Sequence, residues 1–194
     1  MSLQQDQHWI EETIKGNGHA FADLIDRYKH MVFTLAVKIL RNREEAEEVA
    51  QDVFVKVYQS LNTFKGDSKF STWLYRIAYH RSLDYLKKQG RQLSTSSIDE
   101  FTGPQFPVHE NYMDAFDTVD RAAIIKSAID ALHEEDAIVI TLHYYEELSL
   151  KEISQVMGIG ANTVKVRLFR SRKRLEKLLI KLLEPEIIKG YGEG

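Results

Sequence analysis

Residues 149–179 read SLKEISQVMGIGANTVKVRLFRSRKRLEKLL, and their pattern governs how the rest of the chain is read. Ser149 and Glu152 have the spacing of a capping box, in which a hydroxyl and a carboxylate satisfy backbone N–H groups at a helix start. Leu150, Ile153 and Val156 or Met157 continue it as a short apolar stripe. Gly158 ends this helix, and Gly160 marks a turn. A second helix follows, in which Val164, Leu168, Ser171 and Leu175 share the inward face. Two short helices joined by a tight glycine turn, the second of them basic, form the pattern of a DNA-binding helix-turn-helix.

The outward face of the second helix carries Asn162, Lys165, Val166 and Phe169 near its start. In this docking mode those positions meet base edges in the major groove. Asparagine pairs with adenine through two hydrogen bonds, and lysine reaches O6 and N7 of guanine. Thr163 stands at the helix start, where a hydroxyl can meet a phosphate. Arg167, Arg170, Arg172, Lys173 and Arg174 flank the groove face and suit backbone phosphates. From residue 165 to 181 eight side chains are basic and one, Glu176, is acidic. Composition alone would also suit a solvated charged helix; the glycine turn and the capped helix before it favour DNA.

Working towards the N-terminus, residues 91–118 break the helical pattern. They hold Pro104, Pro107 and several Ser and Thr residues, and they are acidic after Arg91. That is linker composition. The expected organisation is therefore all-α, with a helical unit at 1–90, an acidic flexible linker at 91–118, a second helical unit at 119–184, and a tail at 185–194. Elsewhere glycine and proline sit at segment edges, and their absence from the long segments favours helices, because inside a helix they cost about 1 and 3 kcal/mol.

In the first unit, Phe21, Leu24, Ile25, Tyr28, Val32, Leu35, Ala36 and Ile39 recur at steps of three and four. Asn42 caps the next helix, with Glu45 at capping-box spacing. That helix opens with Glu44, Glu45, Glu47, Glu48 and Asp52. Acid in the first turn opposes the helix dipole favourably, but Asp52 and an outward Val55 extend the stripe further and suit a protein-binding face. A third helix, from about 70 to 88, interleaves Phe70, Trp73, Tyr75 and Tyr79 with Arg76, Arg81, Lys87 and Lys88. Rings among cations fit single-stranded nucleic acid, since bases stack on the rings at about 1–3 kcal/mol each while cations hold phosphates. Trp73, Arg76, His80 and Lys87 lie along one side; Phe70 and Leu74 are expected in the core.

Composition excludes several other classes. The chain has 194 residues, a net charge of −3 and no cysteine. Disulfides, iron–sulfur clusters, thiolate zinc and cysteine nucleophiles are therefore out, and a reducing cytoplasm suits the chain. The seven histidines, at 8, 19, 30, 80, 109, 133 and 143, form no His-x-x-x-His pair. No phosphate loop or serine elbow is present, so neither an enzyme nor a cofactor or metal is expected. No apolar run approaches the ~20 residues of a membrane span, and the N-terminus does not read as a signal peptide.

The motifs FSTWLYRIA (70–78) with Asp84, and AEEVAQDVF (46–54) before them, resemble conserved region 2 of bacterial sigma factors of the extracytoplasmic function group of the sigma-70 family. ELSLKEIS (147–154), Gly158 and TVKVRLFR (163–170) resemble region 4. The resemblance implies that Glu48, Gln51, Asp52 and Phe54 dock on the β′ clamp of core RNA polymerase. It implies that the loop at 62–69, with Lys69, Trp73, Arg76, His80 and Lys87, holds the non-template strand of the −10 element. It implies that Asn162, Thr163, Lys165, Val166, Arg167, Phe169, Arg170 and Lys173 read the −35 element as duplex, with region 4 on the polymerase β flap. An anti-sigma factor is the implied regulator, sometimes holding such a protein at the inner face of the membrane. The chain departs from the family at His80, where Asn is common, and at 132–136, where an acidic LHEED replaces the usual Leu-Pro start.

A second reading keeps only the helix-turn-helix: a two-domain regulator that binds duplex without replacing the polymerase specificity subunit. Transcription by core polymerase separates the two. An all-α enzyme would need clustered ionisable groups in a bundle, and the sequence supplies none.

Overall fold

The computed structural model describes residues 3–93 and 118–190. Among them the secondary structure is helical, without a strand. Most of the expected linker lies outside the described residues.

Helix α1, Leu3–Ile14, comes first and had no counterpart in the periodicity reading. A buried carboxylate fastens it to the second helix: Tyr28 Oη donates to Asp6 Oδ2 at 2.7 Å, and Arg27 Nη1 lies 3.1 Å from Oδ1. Helix α2 spans Gly18–Leu40 and is capped by Asn17, whose side chain accepts from the N–H groups of His19 and Ala20. It ends at Arg41, in the left-handed conformation with φ 53°. Helix α3, Arg43–Ser60, is capped by Asn42 as expected. Glu45, however, pairs with Arg91 Nη2 at 2.6 Å, so its carboxylate is drawn across to the chain after the fourth helix. A 3-10 turn, Leu61–Thr63, leads through a loop to α4, Phe70–Lys88. Leu24, Val32 and Leu35 of α2, Val49, Val53 and Val57 of α3, and Leu74 and Ala78 of α4 form the centre of this half.

The second half holds α5, Thr118–Asp130, and α6, Glu134–Ile140, which runs on as a π-helical turn at Thr141–Tyr145. The helix-turn-helix is α7, Leu150–Met157, and α8, Ala161–Gly190. Helix α8 passes Pro185, where the second unit was expected to end. A proline removes one intrahelical hydrogen bond and bends a helix but need not stop it, and Leu182, Leu183, Glu184 and Glu186 around it are strong helix formers. The buried carboxylate of Asp136 ties α6 to α8: Ser171 Oγ donates to it at 2.6 Å and Arg174 Nη1 at 2.7 Å. Arg174, expected beside the groove face, is thus engaged with Asp136 within the fold.

The two halves pack on each other. Helix α7 lies against α4, and α6 against α2, so that one apolar cluster runs through both. Lys38 pairs with Asp130, Arg41 pairs with Glu134 at 2.9 Å, and Arg41 also donates to the Leu132 carbonyl.

Asp136→Ala would leave the Arg174 guanidinium facing a place without an acceptor, while the Ser171 hydroxyl keeps the Arg167 carbonyl at 2.9 Å. The expected loss is roughly 2–4 kcal/mol, against about 1 kcal/mol for Ser171→Ala. Urea unfolding of the two variants checks the ranking.

Candidate nucleic-acid and polymerase interfaces

The helix-turn-helix is built by its caps. Ser149 Oγ accepts from the Glu152 N–H at 3.2 Å, and Glu152 Oε2 accepts from the Ser149 N–H at 2.9 Å, which completes the capping box. Gly158 closes α7 in the left-handed conformation, φ 67°, with its N–H on the Ser154 carbonyl. Ser154 Oγ in turn donates to the Ile159 carbonyl and fixes the turn. Helix α8 then buries Val164, Leu168 and Ser171. Asn162, Thr163, Lys165, Val166, Phe169 and Arg170 are exposed on the other side. Val166 and Phe169 are half exposed despite being apolar, and the Lys173 ammonium sits 4.8 Å from the Phe169 ring centroid. Arg167 is partly withdrawn from this face, since its guanidinium lies 2.7 Å from Glu135 of α6. Arg172 Nη1 donates to Tyr144 Oη at 3.4 Å. The exposed pair Tyr144 and Tyr145 escaped the sequence reading, because residues 137–142 are all buried and hide any period.

On α4 the rings gather at one end. Phe64, Phe70 and Trp73 have mutual centroid distances of 5.5 to 5.7 Å, and Tyr28 braces Phe70 at 5.4 Å. Beside them is a cavity of about 280 Å³, lined by Phe64, Lys65, Ser68, Trp73 and Arg76 and, from α7, Gln155. Phe70 is buried as expected, Trp73 is half buried, and Lys69, Arg76, His80 and Lys87 are exposed. Lys69, Trp73 and Arg76 cluster at the cavity end, His80 lies a turn beyond, and Lys87 stands near the far end of the helix.

Lys69 also has a partner from the other half. Its Nζ lies 3.1 Å from Glu152 Oε1, and Thr72 Oγ1 lies 3.3 Å from the same oxygen. Burial acts to raise the pKa of Glu152, but bonds from the Ser149 N–H and hydroxyl and from the Lys69 ammonium outweigh it, and hold the carboxyl down at about 2.

On α3, Glu48, Gln51 and Asp52 are exposed in one stripe with Val55. Phe54 is not part of that surface: its side chain is 9% exposed and belongs to the core. The outward apolar groups here are Val55 and Tyr58, at 56% and 54% exposure, with Tyr58 against Phe21 at 5.0 Å. Val55 was expected on this outward stripe; Tyr58 was not, although it follows Gln51 by seven residues and so falls on the same side. The acids are partly engaged within the fold. Asp52 lies 3.4 Å from Arg81, and Glu48 accepts from Tyr85 Oη at 3.4 Å.

Among the described residues no group of three or more His, Cys, Asp or Glu could hold a metal ion, and no helix is long and apolar enough to cross a membrane.

Comparison with known proteins covers both halves. Residues 24–92 match the family Sigma-70 region 2, and residues 122–175 match Sigma-70, region 4. The chain is 33% identical over 190 residues to the RNA polymerase sigma-H factor of Pseudomonas aeruginosa, covering 94% of this chain and 98% of that protein. It is 34% identical over 176 residues to the ECF RNA polymerase sigma factor SigW of Bacillus subtilis, with 88% and 94% covered. It is 33% identical over 177 residues to the ECF RNA polymerase sigma-E factor of Escherichia coli K12, with 88% and 92% covered. Two solved structures share the fold. CnrH, in complex with the cytosolic domain of CnrY, gives a TM-score of 0.63 at 24% identity, over 91% of this chain and 98% of that one. The sigma factor RpoE of Bartonella quintana, with the anti-sigma factor NepR, gives 0.60 at 18% identity, over 82% and 96%.

The depressed pKa of Glu152 makes a testable point about acid. A carboxylate whose folded pKa lies below its ordinary 4.5 contributes fully above that value and loses its contribution as pH falls through about 2. Carboxyl NMR is expected to find Glu152 ionised at about pH 3. In Lys69→Ala its midpoint should rise but stay below the ordinary value, because the Ser149 bonds remain.

Proposed function

Because the chain belongs to the sigma-70 family, in its extracytoplasmic function group, it is a transcription initiation factor that directs RNA polymerase to promoters, and we propose how its surfaces divide that work. The unit at 1–90 docks on core polymerase and captures the −10 element as a single strand. The unit at 119–184 grips the −35 element as duplex, and residues 91–118 connect the two.

The observation that carries the single-strand reading is the cavity whose lining combines the rings of Phe64 and Trp73 with the cations Lys65 and Arg76. Rings offer a stacking surface for an extruded base, and the cations meet the phosphates on either side of it. Strand separation then follows from mass action: a surface that binds the opened strand and not the paired one shifts the equilibrium towards opening. No bond is made or broken by the protein, so this role needs no catalytic group or cofactor. His80 stands one turn further along the same side, where its ring nitrogens offer a different hydrogen-bonding set from an asparagine amide.

For the duplex, exposed Asn162, Lys165, Val166 and Phe169 form the base-reading edge. Thr163, Arg170 and Lys173 serve the backbone, as does Arg167 once it leaves Glu135. Val166 and Phe169 suit thymine methyl groups. For the polymerase, Glu48, Gln51 and Asp52 form a polar stripe. Val55 and Tyr58 supply the apolar centre that Phe54 cannot. A polar margin around exposed aromatic and aliphatic side chains is the composition of a protein interface. We place the β′ clamp there and the β flap on the unit at 119–184. Tethering to the polymerase supplies effective concentration, so each DNA contact can be weak alone. A net charge of −3 limits unproductive binding to the genome.

We also propose an anti-sigma factor as a partner, with the cytoplasm as the place of action. Support comes from the shared fold with the Bartonella quintana factor, which was solved with its anti-sigma partner NepR. The alternative of a regulator that binds duplex by itself is not favoured, since both sigma regions are present in order.

Run-off transcription on genomic fragments tests the assignment: core polymerase plus this chain should start at defined sites, and core polymerase alone should not. Trp73→Ala should impair melting, read by permanganate reactivity, by about tenfold, while closed-complex binding stays within about twofold; one stacked base is worth about 1–3 kcal/mol. Equal loss in both would count against the strand role. Lys165→Ala should relax −35 selectivity, with a loss of about 1–3 kcal/mol at one base pair. Arg170→Ala should weaken binding to every sequence alike and reduce the salt slope by about one.

A further inference from the structure

Helix α1 lies outside the matched family region, which begins at residue 24, yet it reaches the supports of the strand cavity. A buried charge, and not apolar packing alone, holds it on α2. Asp6 is 6% exposed; its carboxylate accepts from Tyr28 Oη at 2.7 Å and lies 3.1 Å from Arg27 Nη1. The Arg27 guanidinium sits 5.5 Å from the centroid of the Tyr28 ring and 5.8 Å from that of Trp9 on α1. Burial, reinforced by the hydrogen bond to Asp6 and by its charge, pushes the Tyr28 phenol above its ordinary range, while Arg27 opposes the shift. The Tyr28 ring meets buried Phe70 edge-on, with centroids 5.4 Å apart. Phe70 in turn lies 5.6 Å from Phe64 and 5.7 Å from Trp73, the two rings that line the cavity.

A buried phenol hydroxyl needs a partner. The bond to Asp6 fixes the tip of the Tyr28 ring, and with it the direction in which the ring points. The brace on Phe70 shifts if that direction tilts. An apolar anchor would hold α1 without the desolvation cost of a carboxylate, but it could not aim a hydroxyl. Helix α1 also touches the 3-10 turn Leu61–Thr63, whose Leu61 carbonyl accepts from the Phe64 N–H at 3.1 Å. Phe64 is therefore supported from α1 through that turn, and both cavity rings are supported from α1 through Tyr28 and Phe70.

We propose that Asp6 is a positioning residue for strand capture: through Tyr28 and Phe70 it holds Phe64 and Trp73 in the arrangement that receives an extruded base. Asp6 itself touches no DNA in this role. Its loss leaves the polymerase stripe and the duplex reader intact and loosens the surface on which the base stacks. Rings already held in place bind the opened strand without the cost of ordering their side chains at that moment. The inference rests on the single-strand reading of this cavity, and Trp73→Ala separates the two in the test.

The experiment uses the full chain bound to core polymerase, on a promoter fragment selected by run-off transcription. It is run at a temperature where circular dichroism finds every variant folded. Permanganate reactivity reads melting, and a mobility shift in the cold reads closed-complex binding. Asp6→Ala should lower permanganate reactivity about threefold to fivefold, the scale of one hydrogen bond, with closed-complex binding within about twofold of the parent. Tyr28→Phe keeps the ring but removes the donor. It should show a loss of the same size, and Asp6→Ala combined with Tyr28→Phe should lose no more than either alone. Added to Trp73→Ala, where the stacking ring is already gone, Asp6→Ala should cost less than about twofold. A merely structural anchor behaves differently: melting and closed complexes fall together, and the losses multiply. Either of those results, or unchanged melting in both Asp6→Ala and Tyr28→Phe, overturns the proposal. If Trp73→Ala itself leaves melting at the parent level, the single-strand reading of the cavity is what fails, and this inference falls with it.

Discussion

Helix α4 must satisfy two neighbours at once. Leu74 and Ala78 are buried in the half built from α1 to α4, while Thr72, Tyr75 and Tyr79 are buried where α7 comes against the same helix. A helix with apolar groups on more than one side has no spare face, so its charged residues are confined to narrow strips. Lys69 and Arg76 fall at the cavity end, Arg81 falls beside Asp52 of α3, and Lys87 and Lys88 stand in the last turn. That confinement concentrates positive charge around Trp73 in a chain that is acidic overall.

The same economy appears in the acidic helix α3. Its carboxylates do two things: Glu44 and Glu45 occupy the first turn, where acids favour the helix dipole, and Asp52 and Glu48 of the exposed stripe reach Arg81 and Tyr85. Surface ion pairs of this kind are worth little to stability. They hold side chains in place more than they hold the fold together, and a partner can exchange them without unfolding anything.

The helix-turn-helix was legible residue by residue. Ser149, Glu152, Gly158, Val164, Leu168 and Ser171 all do what their spacing implied, because caps and short-range periodicity are local properties. The span of α4 at 70–88 was equally plain. Phe54 is buried although the resemblance groups it with exposed Glu48, Gln51 and Asp52: the motif at 46–54 mixes exposed acids with buried Ala46, Val49 and Val53, and a motif does not say which way each residue points. Helix α1 was overlooked because its anchor, Asp6, is polar and finds Arg27 and Tyr28 only through folding. The contact of Glu152 with Lys69 joins residues 83 positions apart, and both already had a local role to explain them.

The π-helical turn at Thr141–Tyr145 sets the direction in which the duplex reader points. Each residue of an α-helix advances the chain by about 100° around the axis, and a wide turn takes up an additional residue without lengthening the helix by the usual step. Removing one residue from this turn would let α6 continue as an ordinary helix and would rotate everything after it by about that angle. The caps of α7 and the outward residues of α8 would survive intact, yet the groove-reading edge would face elsewhere. The widened turn therefore works like a keyway on a shaft: it stores the angular alignment between two parts that are each well made without it.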